Sequence, residues 1–168
     1  MRFAFLIDPP ESLKIAKDTS FALMLEAQAR GHKLLILERG DISAHRGQLH
    51  FRARAAQVKD DKSSPFTLGP YQTVAANAID ALFIRTDPPF DTAYLTDTWL
   101  LSMAEKKPLV LNSPAGLRTI NEKIWAAAFA DITPETLITA DGAEFADFLS
   151  RHGSVVLKPT DEFYQKYQ

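Results

Sequence analysis

Asp8, Arg85 and Asp87 are the side chains whose type and spacing most directly suggest chemistry. Asp8 lies in Ile7-Asp8-Pro9-Pro10 and the other two in Arg85-Thr86-Asp87-Pro88-Pro89, similar turns that each close an apolar run. Carboxylates and a guanidinium held this way can grip the charged ends of a small polar ligand. In open parallel sheets ligands sit beyond the carboxyl ends of the strands, so two such loops would face one crevice. Paired prolines restrict φ, which suits a site whose polar groups must be in place before a ligand arrives. The same residues also read as ordinary turn chemistry, with Asp87 ending a strand and Asp91 capping a helix. Spacing alone leaves both readings open.

Asp18-Thr19-Ser20 stands where a helix is expected to begin. Its hydroxyls and the exposed backbone N–H groups could bind an anion at the positive end of the helix dipole, making Asp18 and Ser20 candidates. An N-cap explains the same residues more simply. His32, His45, His50 and His152 fall in no ligand-like spacing, so no metal site is expected. His50, Arg52 and Arg54 share one face of an alternating segment, where phosphate attraction competes with the commoner reading of a solvated hairpin face. Lys123 and Lys158 are not singled out by composition or pattern.

The elements that must position these residues follow from periodicity. Residues 2–7 form a continuous apolar run ended by Asp8-Pro9-Pro10, which predicts a buried strand. A helix is expected behind Asp18, ending at Gly31, and residues 33–37 repeat the apolar run. Strand, helix and strand within about 40 residues is the spacing of a right-handed parallel crossover. Residues 48–57 alternate with a period of two behind His45-Arg46-Gly47, predicting a hairpin, and residues 60–69 read as a surface loop and the segment expected to be mobile. Strands are expected at 79–84 and 108–111, with a helix at 91–106 between them. From Asn112 the texture changes: helices are expected at 121–129 and 143–152 and strands at 136–139 and 155–157. The expected fold class is α/β, with one unit over 1–120 and the start of another over 121–168.

Composition narrows the function. With 19 basic against 21 acidic side chains the formal net charge is −2, which supplies no general pull toward nucleic acid or an anionic membrane. The absence of cysteine excludes a disulfide, a thiolate metal site and a cysteine nucleophile. A chain of 168 residues with 46% apolar content can bury about 70% of its unfolded surface. No run approaches the roughly 18 apolar residues that span a bilayer, and the opening run is short for a signal peptide, so a soluble, cytoplasmic protein is expected.

Further blocks recur in a set order: Lys17-Asp18-Thr19-Ser20-Phe21-Ala22-Leu23-Met24-Leu25-Glu26-Ala27-Gln28, Arg85-Thr86-Asp87-Pro88-Pro89-Phe90-Asp91-Thr92, Leu111-Asn112-Ser113-Pro114, Leu117-Arg118, Asn121-Glu122-Lys123, Thr133-Pro134-Glu135-Thr136-Leu137 and Leu157-Lys158-Pro159. In that order and spacing, from Met1 to about Asp161, the chain resembles the amino-terminal part of prokaryotic glutathione synthetase. The resemblance implies a doubly wound, mostly parallel, Rossmann-like unit preceding an ATP-grasp lobe, with the alternating segment as an inserted β-hairpin. It implies a ligase that joins γ-glutamylcysteine to glycine through an acyl phosphate, using ATP and Mg2+, and that forms homo-oligomers. It places Lys123 and Lys158 on the ATP phosphates, and the loops carrying Asp18, Ser20, Arg85 and Asp87 near the peptide substrate, with Arg85 as a carboxylate partner.

One departure matters. Where the family continues after Lys158-Pro159 into Asp-Gly and a glycine-rich loop, this sequence reads Thr160-Asp161-Glu162-Phe163-Tyr164. Phe163 and Tyr164 cannot give the close backbone approach to phosphate that glycine allows. The expectation is an amino-terminal portion holding no catalytic residue and no Mg2+ ligand, inactive alone. The alternative is a non-catalytic binding or assembly module derived from that enzyme.

Overall fold

The computed structural model describes residues 1–104 and 106–160. The chain divides into a first unit, Met1–Arg118, and a second, Thr119–Gln168.

The first unit is a seven-stranded mixed sheet. In chain order it runs β1 (Arg2–Leu6), α1 (Thr19–Ala29), β2 (Lys33–Leu37), β3 (Ile42–His45), β4 (Gln48–Val58), β5 (Phe66–Ala75), β6 (Ala81–Ile84), α2 (Thr92–Leu101), β7 (Leu109–Leu111) and α3 (Pro114–Thr119). β1 pairs in parallel with β2 and with β6, and β6 in parallel with β7. Along β1 and just beyond it, Phe5 and Ile7 pack with Phe21, Met24 and Ala27 of α1. Ala4 and Leu6 pack on the other face with Tyr94 and Leu101 of α2. Both faces of β1, β2 and β6 are covered, which is why these three strands read as unbroken apolar runs rather than alternating ones.

The other three strands are antiparallel. β3 and β4 meet through Arg46 (φ 51°) and Gly47 (φ 75°), a two-residue turn whose positive φ values suit the twist of a hairpin. β4 alternates as expected, burying Leu49, Phe51 and Ala53 and exposing Arg52. One edge of β4 pairs with β3 and then β2; β5 lies along its other edge.

β5 corrects the expected loop at 60–69, because the strand begins at Phe66. It is an edge strand with Tyr71, Gln72 and Thr73 exposed, so the apolar alternation that announces a half-buried strand is missing. Pro70 has no N–H to give, and the ladder passes it at the irregularity between Arg54 and Ala56. α2 is also shorter than expected. Its closing carbonyl at Thr98 accepts from Ser102 Oγ at 2.9 Å and Arg118 Nη1 at 2.9 Å, and the chain tightens into a turn after Leu101.

In the second unit, α4 (Glu122–Trp125) runs into a 3₁₀ turn at Ala126–Phe129, and α5 (Gly142–His152) follows. Asn121 caps α4 by accepting from the N–H groups of Lys123 at 3.0 Å and Ile124 at 3.2 Å. The strands expected at 136–139 and 155–157 are not formed. A strand exists only through a ladder partner, and neither segment has one among the described residues. Their apolar side chains stay in water: Val156 is 84% and Leu157 76% exposed, as is Ile132 at 82%.

Candidate functional site

β1, β2 and β6 run in the same direction, so their carboxyl ends bring Asp8, Arg39 and Arg85 to one edge of the sheet. Arg85 extends the ladder, its N–H donating to Leu6 O at 2.8 Å. Its Nε donates to Ser20 Oγ at 3.1 Å, and Ser20 is buried in the first turn of α1. Asp87 N donates to Asp8 Oδ2 at 2.8 Å, which ties the two Asp-Pro-Pro loops together. Asp8, Ser20, Arg85 and Asp87 therefore form one constellation. Asp18 is placed differently: its carboxylate accepts from Phe21 N at 2.6 Å as the N-cap of α1.

Arg39 is the member that sequence reasoning missed. It follows the apolar run of β2 as Asp8 follows that of β1, and reading the end of every parallel strand would have found it. Its Nη2 donates to Asp87 O at 2.8 Å, and its Nη1 lies 3.3 Å from both carboxylate oxygens of Asp91. Two carboxylates, Asp91 and Asp97, act on it. Asp91, the N-cap of α2, is held below the usual carboxylate range by the Tyr94 N–H it accepts, burial opposing, with Arg39 adding to the lowering. Asp97 is pushed up to about 6, chiefly by burial; Arg39 and the Gly40 N–H pull it down, and Asp41 and Asp91 push it up. Among the described residues its Oδ2 has no hydrogen-bond partner. Burial, then Asp41 and Glu11, also raises Glu38.

Lys123 and Lys158 lie in the second unit. The Lys123 side chain is largely covered, 21% exposed, and 3.6 Å from Glu122. Asn121 Nδ2 donates to Thr160 O at 2.8 Å, tying the helix start that carries Lys123 to the segment that carries Lys158. The departure at 161–168 lies outside the described residues. Among the described residues no group of three or more His, Cys, Asp or Glu side chains is placed to hold a metal ion.

Two clefts lie elsewhere on the first unit. A cleft of about 390 Å³ is lined by Lys17, Asp18, Thr19 and Lys62. One of about 740 Å³ lies by Gln28, Lys33, Gln57 and Thr67, and neither includes Ser20, Arg85 or Asp87. Converging charged groups identify the candidate site. No helix among the described residues is long and apolar enough to cross a membrane.

An α/β sheet with polar side chains gathered at its parallel strand ends defines a class of small-ligand-binding units. Comparison with known proteins specifies which. Residues 1–118 match the family described as prokaryotic glutathione synthetase, N-terminal domain, and residues 122–164 match prokaryotic glutathione synthetase, ATP-grasp domain. The glutathione synthetase of Photorhabdus laumondii subsp. laumondii is 39% identical over 162 residues, covering 96% of this chain and 51% of the relative. Those of Yersinia pestis, at 40%, and Salmonella typhimurium, at 38%, match over the same shares. The chain belongs to the prokaryotic glutathione synthetase family, and it spans about half the length of these relatives.

Proposed function

We propose that this chain is the amino-terminal portion of a glutathione synthetase, with its first unit a doubly wound, Rossmann-like domain carrying an inserted hairpin. Arg85 takes a carboxylate of γ-glutamylcysteine, and Lys123 and Lys158 take phosphate oxygens of ATP. The observation that carries the reading is the anchoring of Arg85. Its Nε is held by Ser20, while its two terminal nitrogens have no protein acceptor among the described residues. A guanidinium fixed at one nitrogen presents the other two as a planar fork that matches a carboxylate. Asp87 and Asp8 set the loop beside it.

In the family's reaction a carboxylate oxygen of γ-glutamylcysteine attacks the γ-phosphorus of ATP, ADP leaves, and the amine of glycine then displaces phosphate from the acyl carbon. Lys123 and Lys158 offset the phosphate charge as this proceeds, and the Asn121–Thr160 bond supports their acting at one place. Phosphoryl transfer relies on positioning and metal-assisted neutralisation. After Lys158-Pro159 the sequence reads Thr160-Asp161-Glu162-Phe163-Tyr164 in place of the family's glycine-rich phosphate loop, so this polypeptide alone is proposed to make no measurable glutathione.

Calorimetric titration with γ-glutamylcysteine, and separately with magnesium ATP, tests the reading. Arg85→Ala should weaken peptide binding about 10- to 100-fold, the range for a hydrogen bond to a charged group. Equal affinity in the variant would remove Arg85 from the site.

A second reading, a non-catalytic assembly module, is favoured by one observation: Trp125, Phe129 and Ile132 of the second unit are 51%, 54% and 82% exposed. Apolar side chains left in water are a frequent mark of an interface. Light scattering showing only monomer would remove that support, and a stable homo-oligomer would strengthen it.

A further inference from the structure

We propose that Arg39 is a positioning residue that holds the Asp87–Asp91 loop in the conformation that receives the peptide substrate. This rests on the reading of Arg85 and Asp87 as the substrate edge of the site. Arg39 belongs to the end of β2, yet three acceptors within five residues of the β6–α2 loop converge on its guanidinium. They are Asp87 O at 2.8 Å, Pro89 O at 3.5 Å and the Asp91 carboxylate at 3.3 Å. The guanidinium carbon also lies 5.5 Å from the centroid of the Tyr94 ring.

The loop needs such a hold. Residues 87–91 are all exposed, and Pro88 and Pro89 have no N–H with which to anchor their own backbone. An unpinned loop would have to be ordered by the ligand, and that cost would come out of the affinity. Arg39 is kept in place from behind. Its side chain is only 23% exposed, and the charge of the Asp97 carboxyl on α2 acts on it from the side away from the loop. A lysine would not serve, because its compact ammonium cannot span acceptors on Asp87 and Asp91 at once.

The test uses the 168-residue chain and reads hydrogen exchange of residues 87–94 beside calorimetric titration with γ-glutamylcysteine, for wild type, Arg39→Met, Arg39→Lys and Arg85→Ala. In Arg39→Met, exchange in 87–94 should rise roughly tenfold with β1 and β2 amides unchanged, and peptide affinity should fall by about tenfold. Arg39→Lys should fall between Met and wild type on both readouts. Arg85→Ala should lose affinity while keeping the wild-type exchange pattern. Unchanged exchange in Arg39→Met overturns the proposal, and faster exchange with wild-type affinity overturns it too, since Arg39 would then be structural only. Failure of the wild-type chain to bind the peptide overturns the carboxylate site itself and the positioning role with it. Binding by wild type that Arg39→Met leaves intact overturns Arg39 alone.

Discussion

Asp87 donates its backbone N–H to Asp8 Oδ2 at 2.8 Å, joining two loops that lie 79 residues apart in the chain. The ladder already sets the ends of β1 and β6 side by side, and this carboxylate ties together the loops that leave them. Asp8→Ala leaves the Asp87 N–H without its acceptor and should lower stability by about 1–2 kcal/mol. Asp8→Asn keeps an acceptor oxygen and should lose less. Urea denaturation separates the two, and equal losses would show that charge, not the bond, matters.

The core should be far less tolerant than the exposed apolar side chains. Phe51, fully buried between β4 and the sheet face that α2 covers, should cost about 3–5 kcal/mol when cut to alanine. Ile132→Ala, at a site 82% exposed, should change stability by less than about 0.5 kcal/mol. Denaturant midpoints measure both, and a large loss at Ile132 would mean that this residue is covered in solution.

Asp97 gives stability a pH dependence of defined sign. Burial raises its carboxyl from 3.8 to about 6, so between these values the folded chain holds a proton that the unfolded chain has lost. Stability from this group therefore falls as pH rises from about 4 to about 6. Asp91 and Asp80 are shifted downward and act in the opposite sense at lower pH. Asp97→Asn should be stabilised relative to wild type at pH 7, on the order of 1–3 kcal/mol, and by much less at pH 4. Denaturation curves at the two pH values check this, and a gain that is equal at both would contradict it.

The second unit should open more readily than the first. Its described residues include no fully covered apolar side chain, and Val156 and Leu157 stand in water. Hydrogen exchange in α5 should be faster than in β1, β2 and β6 by orders of magnitude, because little apolar burial opposes its opening. Protection of 121–160 equal to that of the parallel strands would contradict this.

Much of the first unit was legible in the residues themselves. Runs such as Ala4-Phe5-Leu6-Ile7 identify strands covered on both faces, and Asp18 and Asp91 announce the helix starts they cap at 2.6 Å and 2.8 Å. Gly31, at φ 80°, marks the end of α1. The ordered blocks from Lys17 to Pro159 also carry the family. Such signals are readable because cause and effect lie within a few residues: a cap and its N–H, or an apolar run and its own burial.

Only the tertiary structure decided the rest. β5 exists because β4 offers it a ladder, not because its own residues alternate. The segments at 136–139 and 155–157, which read as strands, are not strands because no ladder partner reaches them among the described residues. Arg39 joins the candidate site across 48 to 52 residues, and Asp97 is perturbed by the burial that α2 acquires on packing against the sheet. A hydrogen-bond partner, a desolvated carboxylate and a shared strand end are properties of pairs distant in sequence, and they come into being only when folding brings the pairs together.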